Sequence, residues 1–190
     1  MRSFIGINFS CDVKEDISKI QGHIRSNALK GRFKQVDNFH ITLKFLGEIE
    51  KNQADEIAKK LESIARLHSS FELRLQEIGR FKGRDNIRTL YIGLGGNIEA
   101  LKQLNQATEA AMELLGFKKE GRPYTPHITI SQDLILDIPF EELKKEIEMS
   151  STHRIAVNKI ELIKSEQIQN KRIYTPICGY ELKPQQVVIG

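Results

Sequence analysis

Twice along this chain an apolar strand-like run, an amphipathic helix and a short alternating strand follow one another, and both times the alternating strand opens on His-x-Thr. The first copy reads His40-Ile41-Thr42-Leu43-Lys44-Phe45, the second His127-Ile128-Thr129-Ile130-Ser131. A strand turns successive side chains to opposite faces, so each histidine shares a face with its threonine, about 7 Å away, while the apolar partners anchor the strand from behind. By the same alternation Lys44 is expected beside His40 and Thr42, and Phe45 beside Ile41 and Leu43. Ile5 precedes His40 by 35 positions and Ile92 precedes His127 by 35, so the histidines are expected at matching places in an internal repeat. Neither half holds enough strands and helices to cover both faces of its own sheet, which makes the halves interdependent. The expectation is one domain over 1–190, built from halves of about 1–78 and 79–190. Its fold class is α+β, with two pseudo-symmetric lobes, each an antiparallel-rich sheet with two helices, forming a central groove.

Phe4 to Phe9 reads as the first strand, Asp12 with Glu15 as a capping box, and Val13, Ile17, Ile20 and Ile24 predict a helix running to about Gly31. A strand from Val36 to Leu46 follows, ended by Gly47, and Asn52 opens a helix with the stripe Ala54, Ile57, Ala58, Leu61, Ile64 and Ala65. Phe71, Leu73 and Leu75 alternate again, Gly79 to Arg88 reads as a basic, turn-rich stretch, and Thr89 to Leu94 as a strand. Gly95-Gly96-Asn97 caps a third helix that stops at Gly116. Pro139 suits the first turn of a fourth, with Phe140, Leu143 and Ile147 on one face, and two strands close the chain, Ile155 to Ile163 and Arg172 to Leu182.

Composition narrows the setting. At 39% hydrophobic and 28% charged residues the chain is of globular type, and its charge of +4 mildly favours a polyanionic partner. The opening residues turn polar too soon for a secretory leader and no apolar run is long enough to span a bilayer, so the expected location is cytoplasmic, without a membrane partner. The chain is read as a monomer. Cys11 and Cys178 lack metal-ligand spacing and are taken as small packing residues, and His23, His68 and His153 are assigned to the surface.

Two imidazoles and two hydroxyls lining one groove have the parts for phosphoester chemistry without a metal or cofactor. One neutral histidine takes a proton from water while the other, protonated, gives one to a departing oxygen; near neutral pH histidine alone does either without a large pKa shift. Threonine hydroxyls donate hydrogen bonds to phosphate oxygens where charge builds up. A lone His-x-Thr is usually incidental, but composition gives only about 0.2 matches in a chain of this size, and two at matching places in a repeat are rarer still.

The segments Asn38-Phe39-His40-Ile41-Thr42-Leu43-Lys44-Phe45-Leu46-Gly47 and Arg122-Pro123-Tyr124-Thr125-Pro126-His127-Ile128-Thr129-Ile130 resemble the two signatures of the 2H phosphoesterase superfamily, most of all its RNA 2′,3′-cyclic phosphodiesterase (2′-5′ RNA ligase-like) branch. That resemblance, which covers nearly the whole chain, implies hydrolysis of an RNA 2′,3′-cyclic phosphate end to a 2′-phosphomonoester, with weak reverse 2′-5′ ligation. It implies His40 as proton donor, His127 as proton acceptor, and Thr42 and Thr129 as phosphate holders; the near-symmetric repeat itself leaves the two histidine roles open. The implied partner is RNA with a cyclic phosphate end, tRNA-derived ends included, or a nucleotide cyclic phosphate. Members of the branch often carry an arginine shortly after the second motif, where this chain has Gln132, so the phosphate charge is expected to be met by Arg122, Lys44 or another residue.

Lys30, Arg32 and Lys34, the cluster Arg80, Lys82, Arg84 and Arg88, and the pair Lys118 and Lys119 fall in or near predicted loops that can track an RNA backbone. Phe33, Phe81 and Tyr124 are candidates for stacking on a terminal base. Two other readings stay open: a cyclic phosphodiesterase acting on small nucleotides of the ADP-ribose cyclic phosphate type, and a non-catalytic RNA- or nucleotide-binding module of the same fold.

Overall fold

Ile5, Ile7 and Ile41 are fully buried, as are Leu90, Ile92 and Ile128, and each trio belongs to a pair of antiparallel strands whose apolar faces turn toward helices. A computed structural model describes residues 1–147 and 154–185. In chain order it contains β1 (Arg2–Asn8), α1 (Cys11–Ser26), β2 (Ala28–Phe33), a 3₁₀ turn (Val36–Asn38), β3 (His40–Glu48), α2 (Lys51–Leu67) and β4 (Phe71–Lys82). There follow β5 (Ile87–Gly96), α3 (Ile98–Leu114), β6 (His127–Leu136), α4 (Phe140–Glu146), β7 (Arg154–Val157), β8 (Lys159–Ile168) and β9 (Lys171–Glu181). The strands form two antiparallel sheets, one in the order β3-β1-β8-β9, the other β2-β6-β5-β4-β7. Among the described residues no helix is long and apolar enough to cross a membrane.

The expected α+β fold with two lobes is what the structure shows, with each sheet covered by two helices. The sharing is reciprocal. β8 and β9, late in the chain, complete the sheet begun by β1 and β3, while β2 and β4, early in the chain, flank β5 and β6. Helices cross over too. α1 leaves β1 yet packs on the other sheet, where the Gln21 amide donates to the Ile130 carbonyl of β6 at 3.2 Å, and α3 leaves β5 yet packs on β3, where Asn105 donates to the Leu43 carbonyl at 2.8 Å. α4 joins α1 over the second sheet through His23 and Glu146, and α2 lies against β8, β9 and α3. The 78/79 divide therefore falls inside β4, and neither lobe is a contiguous half of the chain.

Local chemistry explains the helix ends. α2 begins at Lys51, one residue before the expected start at Asn52, at a capping box in which the Glu50 side chain accepts from Gln53 N–H while the Gln53 side chain accepts from Glu50 N–H. Asn97 caps α3 by accepting from Ala100 N–H at 3.0 Å. Gly116, at φ +86°, closes that helix with Phe117 N–H bonded to Met112 and Gly116 N–H to Glu113, the six-to-one and five-to-two bonds that need a left-handed residue.

Several boundaries differ from expectation. α1 starts at Cys11, so Asp12 lies within the first turn and forms no capping box with Glu15; it stops at Ser26 rather than near Gly31, because Ala28–Phe33 is an edge strand paired with β6. The basic stretch after Gly79 is mostly strand: β4 runs to Lys82 and β5 starts at Ile87, leaving a short hairpin turn. Ile155 to Ile163 is two strands in different sheets, parted at Asn158. Cys11 is exposed, so only Cys178 packs as expected. His23 is exposed, His68 is half-buried with Nδ1 bonded to the Ile64 carbonyl, and His153 lies outside the described residues. In the ladders Ile7 lies opposite Ile41, and Ile92 opposite Ile128, so the counterpart of Ile92 is Ile7 rather than Ile5.

Candidate active site

β3 and β6 run beside each other where the two sheets meet, although they share no ladder, and each begins at its histidine. In both, the pairing with the neighbouring strand skips one residue. Thr42 pairs with Gly6 and Lys44 with Ile5, leaving Leu43 as the extra residue; Thr129 pairs with Tyr91 and Ser131 with Leu90, leaving Ile130. A bulge reverses the faces that later side chains take. Lys44 and Ser131 turn into the helix-covered side and are buried, while Phe45 is 70% exposed and Gln132 half-exposed. The carbonyl of each bulged residue accepts a buried helix amide, Asn105 for Leu43 and Gln21 for Ile130. These are built bulges at matching places, and the unbroken alternation expected for the first motif is corrected by them.

Each imidazole is held in one orientation. His40 Nδ1 lies 2.7 Å from the Asn38 carbonyl and His127 Nδ1 lies 2.7 Å from the Thr125 carbonyl, in both cases two residues upstream. A carbonyl only accepts, so Nδ1 carries the hydrogen and Nε2 is left to exchange a proton. His40 Nε2 lies 2.9 Å from the Thr42 hydroxyl, which confirms that the first His-x-Thr pair shares a face. Thr125 precedes Pro126 and is thereby biased to extended backbone; Asn38 is buried, and its amide donates to the Arg172 carbonyl at 2.7 Å.

Aromatic rings wall both histidines. Phe4 lies 4.6 Å from the His40 ring, and Tyr174 meets it edge-on at 5.2 Å; Tyr91 lies 5.2 Å from the His127 ring, and Phe81 meets it edge-on at 5.4 Å. Burial disfavours the charged imidazole. His40 is pushed down to about 4, first by burial, against the Asn38 bond, with further depression from Lys34, His127 and Lys14. The rings stand at the starts of adjoining strands, and the charge of His127 is among those that act on His40. His127 is also lowered by burial, against its bond to Thr125.

Of the residues singled out in the sequence, His40, Thr42, His127 and Phe81 come together here, with Thr129 half-buried on the same strand as His127. Lys44 does not: it is 5% exposed, with Nζ bonded to the Glu109 carboxylate at 2.7 Å and to the Lys118 carbonyl at 2.6 Å beneath α3. Phe33 faces the other way, under the Arg25 guanidinium of α1, since it sits opposite buried Ser131. Tyr124 is fastened rather than free, its hydroxyl donating to the Thr42 carbonyl at 3.0 Å, and burial raises its pKa. Arg122 is exposed in the segment before it. Among the expected RNA-tracking cations, Arg32 pairs with Asp133, and Arg80 lies over the Phe140 ring and pairs with Glu141.

Sequence reasoning missed Phe4, Tyr91 and Tyr174 around the rings. It also missed Gln21 and Asn105 at the bulges, whose one signal was a polar residue on an otherwise apolar helix face. A depression of about 340 Å³ between the start of α2 and the end of α3 lies apart from both histidines. A far smaller one, about 20 Å³, adjoins His40 and Tyr174. Among the described residues no three His, Cys, Asp or Glu side chains gather as metal ligands do.

Two lobes that each deliver one anchored His-x-Thr strand to a common seam are the architecture of the 2H phosphoesterases. A model of the 2′-5′ RNA ligase superfamily matches residues 10–169, and the chain belongs to that family. It is similar to a protein named RNA 2′,3′-cyclic phosphodiesterase from Methanocaldococcus jannaschii, 32% identical over 182 residues that cover 93% of this chain and 98% of the relative. The Escherichia coli protein LigT in apo form superposes with a TM-score of 0.78 at 26% identity, covering 96% of this chain and 97% of that one. LigT complexed with 3′-AMP matches equally, with a TM-score of 0.78 at 26% identity, over 95% of this chain and 97% of that one.

Proposed function

We propose that this protein is a cyclic phosphodiesterase that opens the 2′,3′-cyclic phosphate at RNA ends to a 2′-phosphomonoester, without a metal, by acid–base catalysis between His40 and His127. The observation that carries the reading is the pair of neighbouring imidazoles, each with Nδ1 fixed on a carbonyl and Nε2 left to exchange a proton. RNA as substrate is supported by the names of relatives aligned along nearly the whole chain, the Methanocaldococcus jannaschii protein among them. The same reading takes residues 1–190 as one domain grown by internal duplication, which the matched bulges at Leu43 and Ile130 support.

In the reaction a water oxygen bonds to phosphorus as the bond from phosphorus to the ribose 3′ oxygen breaks. His127 Nε2 takes the water proton and His40 Nε2–H gives one to the 3′ oxygen, while Thr42 and Thr129 donate to the non-bridging oxygens. Burial holds His40 near 4, so it is neutral at pH 7, where charging it costs roughly 4 kcal/mol. Substrate supplies the remedy, because a phosphate anion against the ring favours the imidazolium. Binding of the phosphodiester and protonation of His40 are thus one coupled event, and His127, which burial also disfavours as a cation, is the base. With a 5′-hydroxyl in place of water, the same pair forms the new oxygen–phosphorus bond of a 2′-5′ linkage as the bond to the 3′ oxygen breaks, His127 taking the hydroxyl proton and His40 giving one to the 3′ oxygen, which makes the protein a weak 2′-5′ ligase.

Incubating the protein in EDTA with an RNA ending in a 2′,3′-cyclic phosphate tests this. The expected product carries a 2′-phosphate; turnover that appears only on adding a divalent metal, or a 3′-phosphate product, overturns it.

A further inference from the structure

We propose that Lys34 is the cation that grips the substrate phosphate, reaching the site from the end of β2; the proposal rests on the reading of the seam between the sheets as a phosphodiester site. Lys34 stands where both motifs are tied together. Its N–H donates to the Ile130 carbonyl at 2.9 Å, the bulge of the second motif, and its own carbonyl accepts the Gln21 amide at 2.8 Å. Four residues later the 3₁₀ turn reaches Asn38, whose carbonyl orients His40. Phe33 turns to the α1 side, so the alternation of β2 sends Arg32 and Lys34 to the helix-free side, where Arg32 pairs across the ladder with Gln132.

Other cations in and around the first motif are already engaged. Lys44 is buried on Glu109, Arg32 is bound to Asp133, and the Lys14 ammonium donates to the Asp37 carbonyl at 2.9 Å. Lys34 differs: among the described residues its ammonium has neither a carboxylate nor a hydrogen-bond acceptor, and the charges acting on it are those of Arg172 and Arg32. Burial, followed by those two like charges, lowers its pKa, and its own charge lowers that of His40. A partly buried ammonium set among guanidiniums beside an imidazole is unfavourable until an anion arrives, which is the electrostatic signature of an anion site rather than of a structural ion pair. The phosphate group that His40 must protonate against supplies that anion. Its negative charge relieves Lys34, Arg172 and His40 together.

The test measures binding of inorganic phosphate by calorimetry, and kcat and KM on a cyclic-phosphate oligonucleotide, for Lys34→Met, Lys34→Arg and the double variant Lys34→Met/Gln132→Arg. Losing one charge-assisted contact predicts phosphate affinity about 10- to 100-fold weaker in Lys34→Met, with KM raised by a similar factor. Lys34→Arg is expected to keep affinity within about threefold, since guanidinium also binds phosphate. The double variant, which supplies a cation on β6 from the position opposite Arg32, is expected to recover most of the loss. Phosphate binding by Lys34→Met within about twofold of the parent overturns the proposal. So does a loss that neither arginine variant restores and that tracks a lowered melting temperature, because that assigns Lys34 to structure. The two readings fail separately. A protein that binds phosphate through Lys34 yet leaves the cyclic phosphate intact refutes the proposed reaction alone, and an active enzyme indifferent to Lys34→Met refutes this inference alone.

Discussion

The two motif strands are built alike and charged differently. Each starts at a histidine whose Nδ1 is tied to a carbonyl two residues back, and each bulges after the threonine at a residue whose carbonyl accepts a helix amide. Around that shared frame the chemistry diverges. His40 sits deep among Phe4, Tyr174 and the charges of Lys34 and Lys14, and is held near 4; His127 is depressed by burial without those cations. At the position after the bulge, Lys44 is bonded to Glu109, whereas Ser131 Oγ is buried with no hydrogen-bond partner among the described residues. The lesson is that symmetry of the fold sets where the two imidazoles stand, while unsymmetrical surroundings make their basicity unequal.

The largest effects test whether both halves are needed. His40→Ala and His127→Ala are each expected to lower kcat by about 10²- to 10⁴-fold, and the double variant by little more than the worse single one, since the residues act as a unit. Steady-state rates in EDTA check this; near-parental turnover in either single variant breaks the equivalence of the motifs. Next come the paired positions after the bulges. Lys44→Ala strands a buried Glu109 carboxylate and is expected to destabilise the fold by about 3–5 kcal/mol in urea, whereas Ser131→Ala removes an unpaired hydroxyl and is expected to cost nothing measurable.

Acid should expose the asymmetry of the rings. The unfolded chain protonates His40 near its ordinary 6.5 and the folded chain only near 4, so stability is full above pH 6.5 and declines as pH falls through that window, by roughly 3 kcal/mol from this residue. His127 adds to the same trend with the same sign. Thermal melts of the parent and His40→Gln between pH 7 and 4 check it, the variant showing the flatter curve. The smallest contrast lies at the bulges. Asn105→Leu leaves the Leu43 carbonyl without its amide and is expected to cost about 1–3 kcal/mol; Gln21→Leu is expected to cost less, because the Ile130 carbonyl keeps the Lys34 N–H. Equal losses would show that the two bulges are held alike.

How much of this was legible in the sequence follows from which rules are local. His40, Thr42 and His127 could be placed because alternation holds across three residues, and the helix stripes of α2 and α3 because their apolar periods are long and uninterrupted. Lys44 and Phe45 were each assigned to the opposite face from the one they take, since a one-residue bulge reverses the pattern without a composition signal. β2 was absorbed into the preceding helix because Ala28-Leu29-Lys30-Gly31 at a sheet edge is half-exposed on both faces and shows no alternation. The strand exchange between lobes, and with it Tyr174 beside His40, depends on pairings between residues far apart in the chain, which no local pattern encodes.

The central claim is that one phosphate is gripped by two imidazoles of unequal basicity. Proton NMR titration of the His40 and His127 rings, with and without a 2′-nucleotide monophosphate, measures it directly. The account predicts that one bound ligand shifts both rings, that free His40 titrates far below His127, and that ligand raises the His40 midpoint by at least about one unit. Resonances that respond singly, or equal midpoints that ligand leaves unmoved, would contradict it.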